Sequence, residues 1–215
     1  MNFIKLKAKE VLAPFIYKRL NSGLQPERLY YYLHTIINKK EIEGGILEIG
    51  CHLAGTSIIA KNMISKLGYD KSYECLDTFG GFVKEQFDND ALKYKVPNRD
   101  GRFFSANSKK LVQKILKIHS REDIKLIQGD IASFDVQKLS TPISICLLDV
   151  DLEIPIYEGL KKIYPLLSKH GIILIDDCPE KTSWGGARKG YEKFMNEINA
   201  SPEYRFGFGV VEKIS

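Results

Sequence analysis

Residues 45–57 read GILEIGCHLAGTS, a short apolar run that ends at Gly50 and passes through Gly55 into a helical pattern. A near-continuous apolar run of this length is typical of a strand buried on both faces, and its glycines let the backbone approach a ligand closely. Only one glycine stands in the tight turn, so the stretch differs from the Gly-x-Gly-x-x-Gly dinucleotide fingerprint. It predicts the first strand and helix of an α/β fold and disfavours a nicotinamide-dependent enzyme.

Four further apolar runs follow, and helical stretches separate most of them. The runs are residues 72–76, 124–127, 143–148 and 171–175. Apolar periodicity and helix breakers predict helices over about 56–67, 107–118, 153–164 and 185–199. This alternation predicts a doubly wound, mostly parallel sheet with helices on both faces.

The first 40 residues differ from this pattern and predict two helices. Pro14 is expected to interrupt the first, and Pro26 suits the first turn of the second. We therefore expect an N-terminal helical extension over residues 1–40 and an α/β domain over 41–215. Residues 78–106 form a long connection, for which we expect a lid over the ligand site.

Composition bounds the class of protein. The 215 residues are 44% hydrophobic and 27% charged, with a net charge of +5, which indicates a folded globular chain rather than a disordered one. The apolar runs are too short to cross a bilayer, and the lysine-rich start lacks the pattern of a secretory signal. Four widely spaced cysteines fit reduced thiols, so we expect a cytoplasmic protein.

The charge pattern bears on three kinds of partner: nucleic acid, a membrane surface and a second copy of the chain. No basic stripe with interleaved aromatic residues indicates nucleic-acid binding. The lysine-bearing first helix is compatible with peripheral membrane contact through Lys5, Lys7, Lys9, Lys18 and Arg19. Packing between copies explains that helix as well, and we expect a homo-oligomer.

Acidic residues end two of the predicted strands. Asp149 and Asp151 follow the run 143–148, and Asp176 and Asp177 follow the run 171–175. If these strands are neighbours they lie about 5 Å apart, and like charges at that separation are costly without a cation or shared protons. Oxygen ligands favour Mg²⁺, Mn²⁺ or Ca²⁺ over zinc. Solvated acids and helix caps are the plainer reading of the same residues.

Two more acids point to a nucleotide-sized ligand. Asp77 ends the second run, where nucleotide-binding α/β proteins place an acid that accepts hydrogen bonds from ribose hydroxyls, and Asp130 follows the third run. Cys51, His52 and Cys178 fall near the same sheet edge but do not have the spacing of a usual zinc site.

The motifs together resemble the macrocin O-methyltransferase-like family of metal-dependent, S-adenosylmethionine-using sugar O-methyltransferases. The matching pieces occur in family order over about residues 29–195. They are Leu47-Glu48-Ile49-Gly50 with Gly55, residues 76–81, residues 148–152, residues 164–168, residues 171–177 and residues 185–189.

The resemblance implies a class I methyltransferase fold, Rossmann-like, and a role for each motif. The implied cofactor-binding residues are Glu48, Gly50, Cys51, His52, Gly55, Thr56, Ser57, Asp77, Thr78, Phe79, Asp130 and Ile131. The implied ligands of Mg²⁺ (or Mn²⁺) are Asp149, Asp176 and Asp177, with Asp151 as the general base. Trp184 and Arg188 are candidates for holding the substrate.

The expected reaction is methyl transfer from S-adenosylmethionine to a hydroxyl of a sugar or glycan. Coordination to a dication lowers the pKa of a hydroxyl, a carboxylate removes the proton, and positioning aligns the oxygen with the methyl group. Two alternatives stay open at this point. One is a catechol acceptor, whose adjacent hydroxyls also chelate a metal, and the other is a nucleotide-binding module without catalysis.

Overall fold

The computed structural model describes residues 2–94, 101–102, 104–179 and 185–214. Its helices are α1 Asn2–Ile16, α2 Pro26–Asn38, α3 Gly55–Lys66, α4 Lys84–Tyr94, α5 Lys109–Ile118, α6 Glu153–Ile163 and α7 Gly185–Glu197. Its strands are β1 Gly45–Ile49, β2 Tyr73–Asp77, β3 Ile124–Gln128, β4 Ile143–Leu148, β5 Leu167–Ile175, β6 Glu203–Arg205 and β7 Phe208–Glu212.

The strands form one sheet in the order β3-β2-β1-β4-β5-β7-β6. The first five pair in parallel, and β7 runs antiparallel to β5 and β6. The chain builds outward from β1 to β3 and then returns to place β4 on the other side of β1. The sheet is therefore doubly wound, as predicted, and its strand order reverses between β1 and β4, where such folds bind ligands.

Both faces of the sheet are covered, which explains the near-continuous apolar strands. On β4, Ile145 and Leu147 pack with α1, α2, α3 and α5, whereas Cys146 and Leu148 pack with α6 and α7. Ala13 of α1 and Ile36 of α2 belong to the first of these cores. The division of the chain at residue 40 stays a prediction, but the N-terminal helices share a core with the sheet.

Pro14 lies inside α1, so the expectation that it interrupts the helix was wrong. Proline has no N–H to give to the carbonyl four residues earlier, which here belongs to Glu10. Lys114 of α5 supplies the missing donor, because its Nζ lies 2.9 Å from the Glu10 carbonyl oxygen. A contact distant in sequence thus compensates for the proline.

Two more elements were not predicted. The connection 78–106 contains α4, which buries few of its residues, among them Phe87 and Asp90. The C-terminal residues form the β6–β7 hairpin, whose strand β7 is mostly buried while β6 is exposed throughout. Weak amphipathicity and short length explain why periodicity revealed neither element.

Candidate active site

A cavity of about 490 Å³ opens at the carboxyl ends of the parallel strands, within the range of small-molecule sites. Ten of the residues predicted for the site line it. They are Gly50, His52, Asp77, Thr78, Asp130, Ile131, Asp149, Asp151, Asp176 and Asp177. Residues from α2, α4 and the connections before α4 and α5 help to complete the wall, among them Arg28, Phe82, Gln86, Phe104 and Asn107.

The strand register brings the acidic residues together. Leu148 of β4 is the partner of Ile175 of β5, and the Asp176 N–H donates to the Leu148 carbonyl oxygen at 2.9 Å. Asp149 and Asp176 are therefore neighbours across the strand ends. Burial raises the pKa of Asp149 well above its usual value, and the charges of Asp176, Asp151 and Asp177 raise it further. We call this group of four carboxylates the acidic edge.

Asp151 and Asp177 both have backbone conformations that L-residues rarely adopt. Their φ angles are +62° and +54°. The turn at Asp151 is tight, since the Leu152 N–H donates to the Val150 carbonyl oxygen at 2.7 Å. Such conformations cost free energy and persist where surrounding structure holds them. They turn these two acids into the cavity wall after the strands have ended.

Arg28 of α2 provides a cation for the acidic edge. Its Nη1 donates to Asp176 Oδ1 in a short ion pair and to Asp177 Oδ1 at 3.0 Å. Burial followed by the Asp177 charge raises the pKa of Asp176 to about 6, although Arg28 opposes the shift. Arg28 is the only lysine or arginine that lines the cavity within the described residues. Sequence reasoning missed it, because one arginine on a helix carries no signal of its partner.

The opposite part of the cavity is built around Asp77. Its Oδ2 accepts the His52 N–H at 2.8 Å, and its Oδ1 accepts the Phe79 N–H at 2.6 Å. Burial raises the pKa of Asp77, and these two backbone bonds oppose the shift. We call the turns after β1 and β2, where the sequence predicts cofactor binding, the cofactor edge. Its acid is held by neighbouring backbone rather than by a distant cation.

Gly50 joins the two edges. Its φ is +93°, and a Cβ at this position would lie 1.8 Å from the Asp149 carbonyl oxygen. Only glycine fits both the conformation and the close approach. The cofactor edge and the acidic edge are therefore in backbone contact at the point where the strand order reverses.

Helix α4 lies in the connection for which a lid was expected, and its Gln86 lines the cavity. Gln86 Nε2 donates to Asp130 Oδ2 at 2.8 Å, which ties α4 to the turn after β3. Asp90 of α4 is buried and accepts the Glu153 N–H at 3.0 Å, so it caps α6, whose own N-cap side chain makes no such bond. Neither contact was predicted. Residues 95–100 and 103 of the expected lid lie outside the described residues.

Six residues of the implied cofactor set do not line the cavity: Glu48, Cys51, Gly55, Thr56, Ser57 and Phe79. Glu48 points into the core, where it accepts a short hydrogen bond from the Tyr73 hydroxyl, and burial raises its pKa to about 7. The N-terminal turn of α3 is covered, because the Thr56 and Ser22 hydroxyls are 2.8 Å apart. These residues pack beneath the turns after β1 and β2 and do not face the cavity.

Of the two candidate substrate residues, the structure describes Arg188, which does not line the cavity. Trp184 lies outside the described residues. Arg188 pairs with Glu192 at 2.8 Å and lies over the Tyr204 ring, 4.6 Å from its centroid. The neighbouring Gly186 has a packing role, since a Cβ there would lie 1.8 Å from Asp90 Oδ2. The motif at 185–189 thus brings α7 against α4 and α6.

The donor chemistry of the acidic edge suits a hard cation, because carboxylate oxygens are the ligands that such ions prefer. Within the described ranges, however, no three His, Cys, Asp or Glu side chains are arranged as a metal site. Asp176 and Asp177 instead direct one oxygen each to Arg28.

No helix in the described part of the chain is long and apolar enough to cross a membrane.

Comparisons with known proteins bear on the family and on the fold. A family model described as macrocin-O-methyltransferase (TylF) matches residues 27–202. No curated protein gave a significant match. Among solved structures, the O-methyltransferase NovP is 13% identical, with 88% of this chain and 79% of NovP covered and a TM-score of 0.69.

Two other structures extend the likeness over nearly the whole chain. The calicheamicin methyltransferase CalS11 is 18% identical, with 98% and 91% of the chains covered and a TM-score of 0.67. A second CalS11 structure is described as TDP-rhamnose 3'-O-methyltransferase. An O-methyltransferase from Bacillus cereus in complex with SAH is 12% identical, with 97% and 89% covered and a TM-score of 0.56. These likenesses confirm the Rossmann-like methyltransferase fold.

Proposed function

Because the chain belongs to the macrocin-O-methyltransferase family of S-adenosylmethionine-dependent enzymes, we propose that it methylates a hydroxyl of a sugar or glycoside with the help of a divalent cation. The observation that carries the proposal is the convergence of Asp149, Asp151, Asp176 and Asp177 in the same cavity as Asp77. One cavity thus offers a cofactor edge and a metal-compatible edge side by side.

The cofactor edge is suited to S-adenosylmethionine. Asp77 lies where this fold places the acid for ribose hydroxyls, and each of its oxygens keeps a lone pair after accepting one backbone N–H. Gly50 leaves room for close approach of the cofactor, and Asp130 and Ile131 line the adjoining wall. Cys51, Gly55, Thr56, Ser57, Phe79 and Glu48 would act through the shape of the turn.

The acidic edge would hold Mg²⁺ or Mn²⁺ through Asp149, Asp176 and Asp177. The ion would supply Lewis acidity that lowers the pKa of an acceptor hydroxyl. Asp151 would remove that proton, since it lines the cavity and its backbone turn directs it past the end of β4. No covalent intermediate on the protein is required.

Arg28 would also affect how the acidic edge binds the divalent cation. It contacts Oδ1 of both Asp176 and Asp177, so Arg28 and a metal would compete for the same oxygens. Removal of a cation from a buried acidic group is strongly unfavourable, and Arg28 thereby keeps Asp176 and Asp177 in place for ligation.

The family and CalS11, which is described as TDP-rhamnose 3'-O-methyltransferase, support the proposed acceptor class. A catechol presents a similar pair of oxygens and is the alternative that the assay must separate. Family membership favours an enzyme over a nucleotide-binding module without catalysis.

A mass-spectrometric assay tests the proposal. The full chain is incubated with S-adenosylmethionine, Mg²⁺ and a panel of deoxysugar glycosides and catechols, with and without a chelator. With a glycoside we expect a product heavier by one CH2 unit, because a methyl group replaces the hydroxyl hydrogen. This product should be lost on chelation and in Asp151→Asn. The matched control is Asp70→Asn, at a side chain that is 95% exposed. Chelator-resistant transfer, or transfer to catechols alone, would overturn the proposal.

A further inference from the structure

Helix α1 has an exposed apolar face in addition to the face that packs on the body. Ala13 and Glu10 are buried on the body side. On the opposite side Ile4 is 75%, Val11 73% and Phe15 82% exposed. Large apolar side chains so exposed on one helix are unusual for a surface that contacts only water.

The exposed residues lie on one face. Positions 4, 8, 11 and 15 are separated by four, three and four residues, the spacing that places side chains along one side of an α-helix. Leu12 and Ile16 widen this strip and are about half exposed. We call these six residues the α1 apolar face: Ile4, Ala8, Val11, Leu12, Phe15 and Ile16.

Cations flank the α1 apolar face. Lys5, Lys7 and Lys9 lie within α1, and Lys18 and Arg19 follow its end. Glu10 is the one acid of α1, and it is 7% exposed. The adjoining α5 has four lysines and no acid: Lys109, Lys110, Lys114 and Lys117. An apolar strip between rows of cations is the pattern of a helix that lies in the plane of a membrane interface.

We propose that the α1 apolar face docks on an anionic lipid surface. Lys7 pairs with Glu10 at 3.5 Å, but the lysines of α1 and α5 outnumber their single acid. Charge selects a lipid surface over a second copy of the chain, because a symmetric contact would bring the same net positive charge of the two copies together. Anionic headgroups would complement them, at a helix with apolar side chains long enough to enter the interface.

The helix is fixed to the wall of the cavity. Lys9 Nζ donates to the Ala106 carbonyl oxygen at 3.0 Å, and the adjacent Asn107 donates through Nδ2 to the His52 carbonyl oxygen at 2.8 Å. His52 and Asn107 line the cavity. A docked α1 would therefore hold the enzyme on the lipid through an element joined to its active site.

Co-sedimentation of the full chain with vesicles tests the proposal. We expect binding to vesicles of phosphatidylglycerol and phosphatidylcholine, little binding to phosphatidylcholine alone, and weakening by salt. The double variant Val11→Ser/Phe15→Ser should bind about tenfold more weakly, since it removes apolar area that enters the interface. Both sites are exposed, so folding should persist, which circular dichroism checks.

The matched control is Ile214→Ser, which removes a side chain 75% exposed outside α1. It should bind vesicles like the unaltered chain. Equal binding by the double variant and the control would overturn the proposal, as would no binding to anionic vesicles. Light scattering supplies the remaining outcome: a dimer that the double variant dissociates would assign the face to a second copy instead. Methyl transfer to a free acceptor is measured separately, so failure here leaves the proposed function standing.

Discussion

The two edges of the cavity hold their acids in different ways. At the cofactor edge, Asp77 accepts N–H groups from His52 and Phe79, which belong to its own and the adjoining turn. At the acidic edge, carboxylates face one another, and their cation comes from Arg28, 148 residues before Asp176. A site whose acid is satisfied by backbone is stable before it binds anything. A site of like charges is stable only with a cation, which Arg28 supplies here.

Removal of one charge from the acidic edge should produce the largest effect. Asp149→Asn is expected to lower kcat/KM about 10²- to 10³-fold through loss of transition-state electrostatics. It should leave the free energy of unfolding unchanged or slightly raised, because a buried like charge is removed. Kinetics and urea unfolding measure the two effects. If Asp149→Asn lost stability and kept activity, the acidic edge would serve the stability of the fold rather than catalysis.

Removal of the Arg28 guanidinium tests how the acidic edge depends on its cation. Arg28→Gln should lower the free energy of unfolding by about 3 kcal/mol, because two buried carboxylates lose their partner. Mg²⁺ should then raise the Tm more than it does in the unaltered chain. Arg121→Gln breaks ion pairing to Asp123 outside the cavity and is the control. An equal response of both variants to Mg²⁺ would refute competition between Arg28 and the metal.

Glu48 lies on β1 between the edges and gives a pH test. Its pKa is about 7 in the native protein and 4.5 when unperturbed, so the native state binds more protons between these values. Stability should therefore fall as pH rises through that window, by at most about 1.4 kcal/mol per pH unit. Glu48→Gln should remove this part of the fall. Glu41→Gln, at a side chain 86% exposed, should not.

The smallest effect is expected at the cofactor edge. Asp77→Asn keeps one carbonyl oxygen for a backbone N–H, so it should cost about 1 kcal/mol of stability and about tenfold in affinity for S-adenosylmethionine. Calorimetry with the cofactor measures the second quantity, without any acceptor or metal. An affinity equal to that of the unaltered chain would remove Asp77 from the proposed ribose site.

The contrast also explains what could be predicted from the sequence. The turn after β1 and the acids after β4 and β5 were recognisable because parallel strands deliver their carboxyl ends to one side. Arg28 and Asp90 were not, since each acts on an element far away in sequence. Pro14 was misjudged for the same reason, because Lys114 lies one hundred residues from it. Local pattern predicted the strand ends, and tertiary contacts determined which charges meet there.

The approach of Gly50 to Asp149 has a consequence for how such enzymes diversify. Main chain meets main chain there, so the spacing between the proposed cofactor side and the proposed acceptor side is set without any side chain. That spacing is therefore constant. Substitutions in α4 and in the residues after β5 would change which acceptor fits. The backbone contact between Gly50 and Asp149 would keep the alignment for the proposed transfer the same.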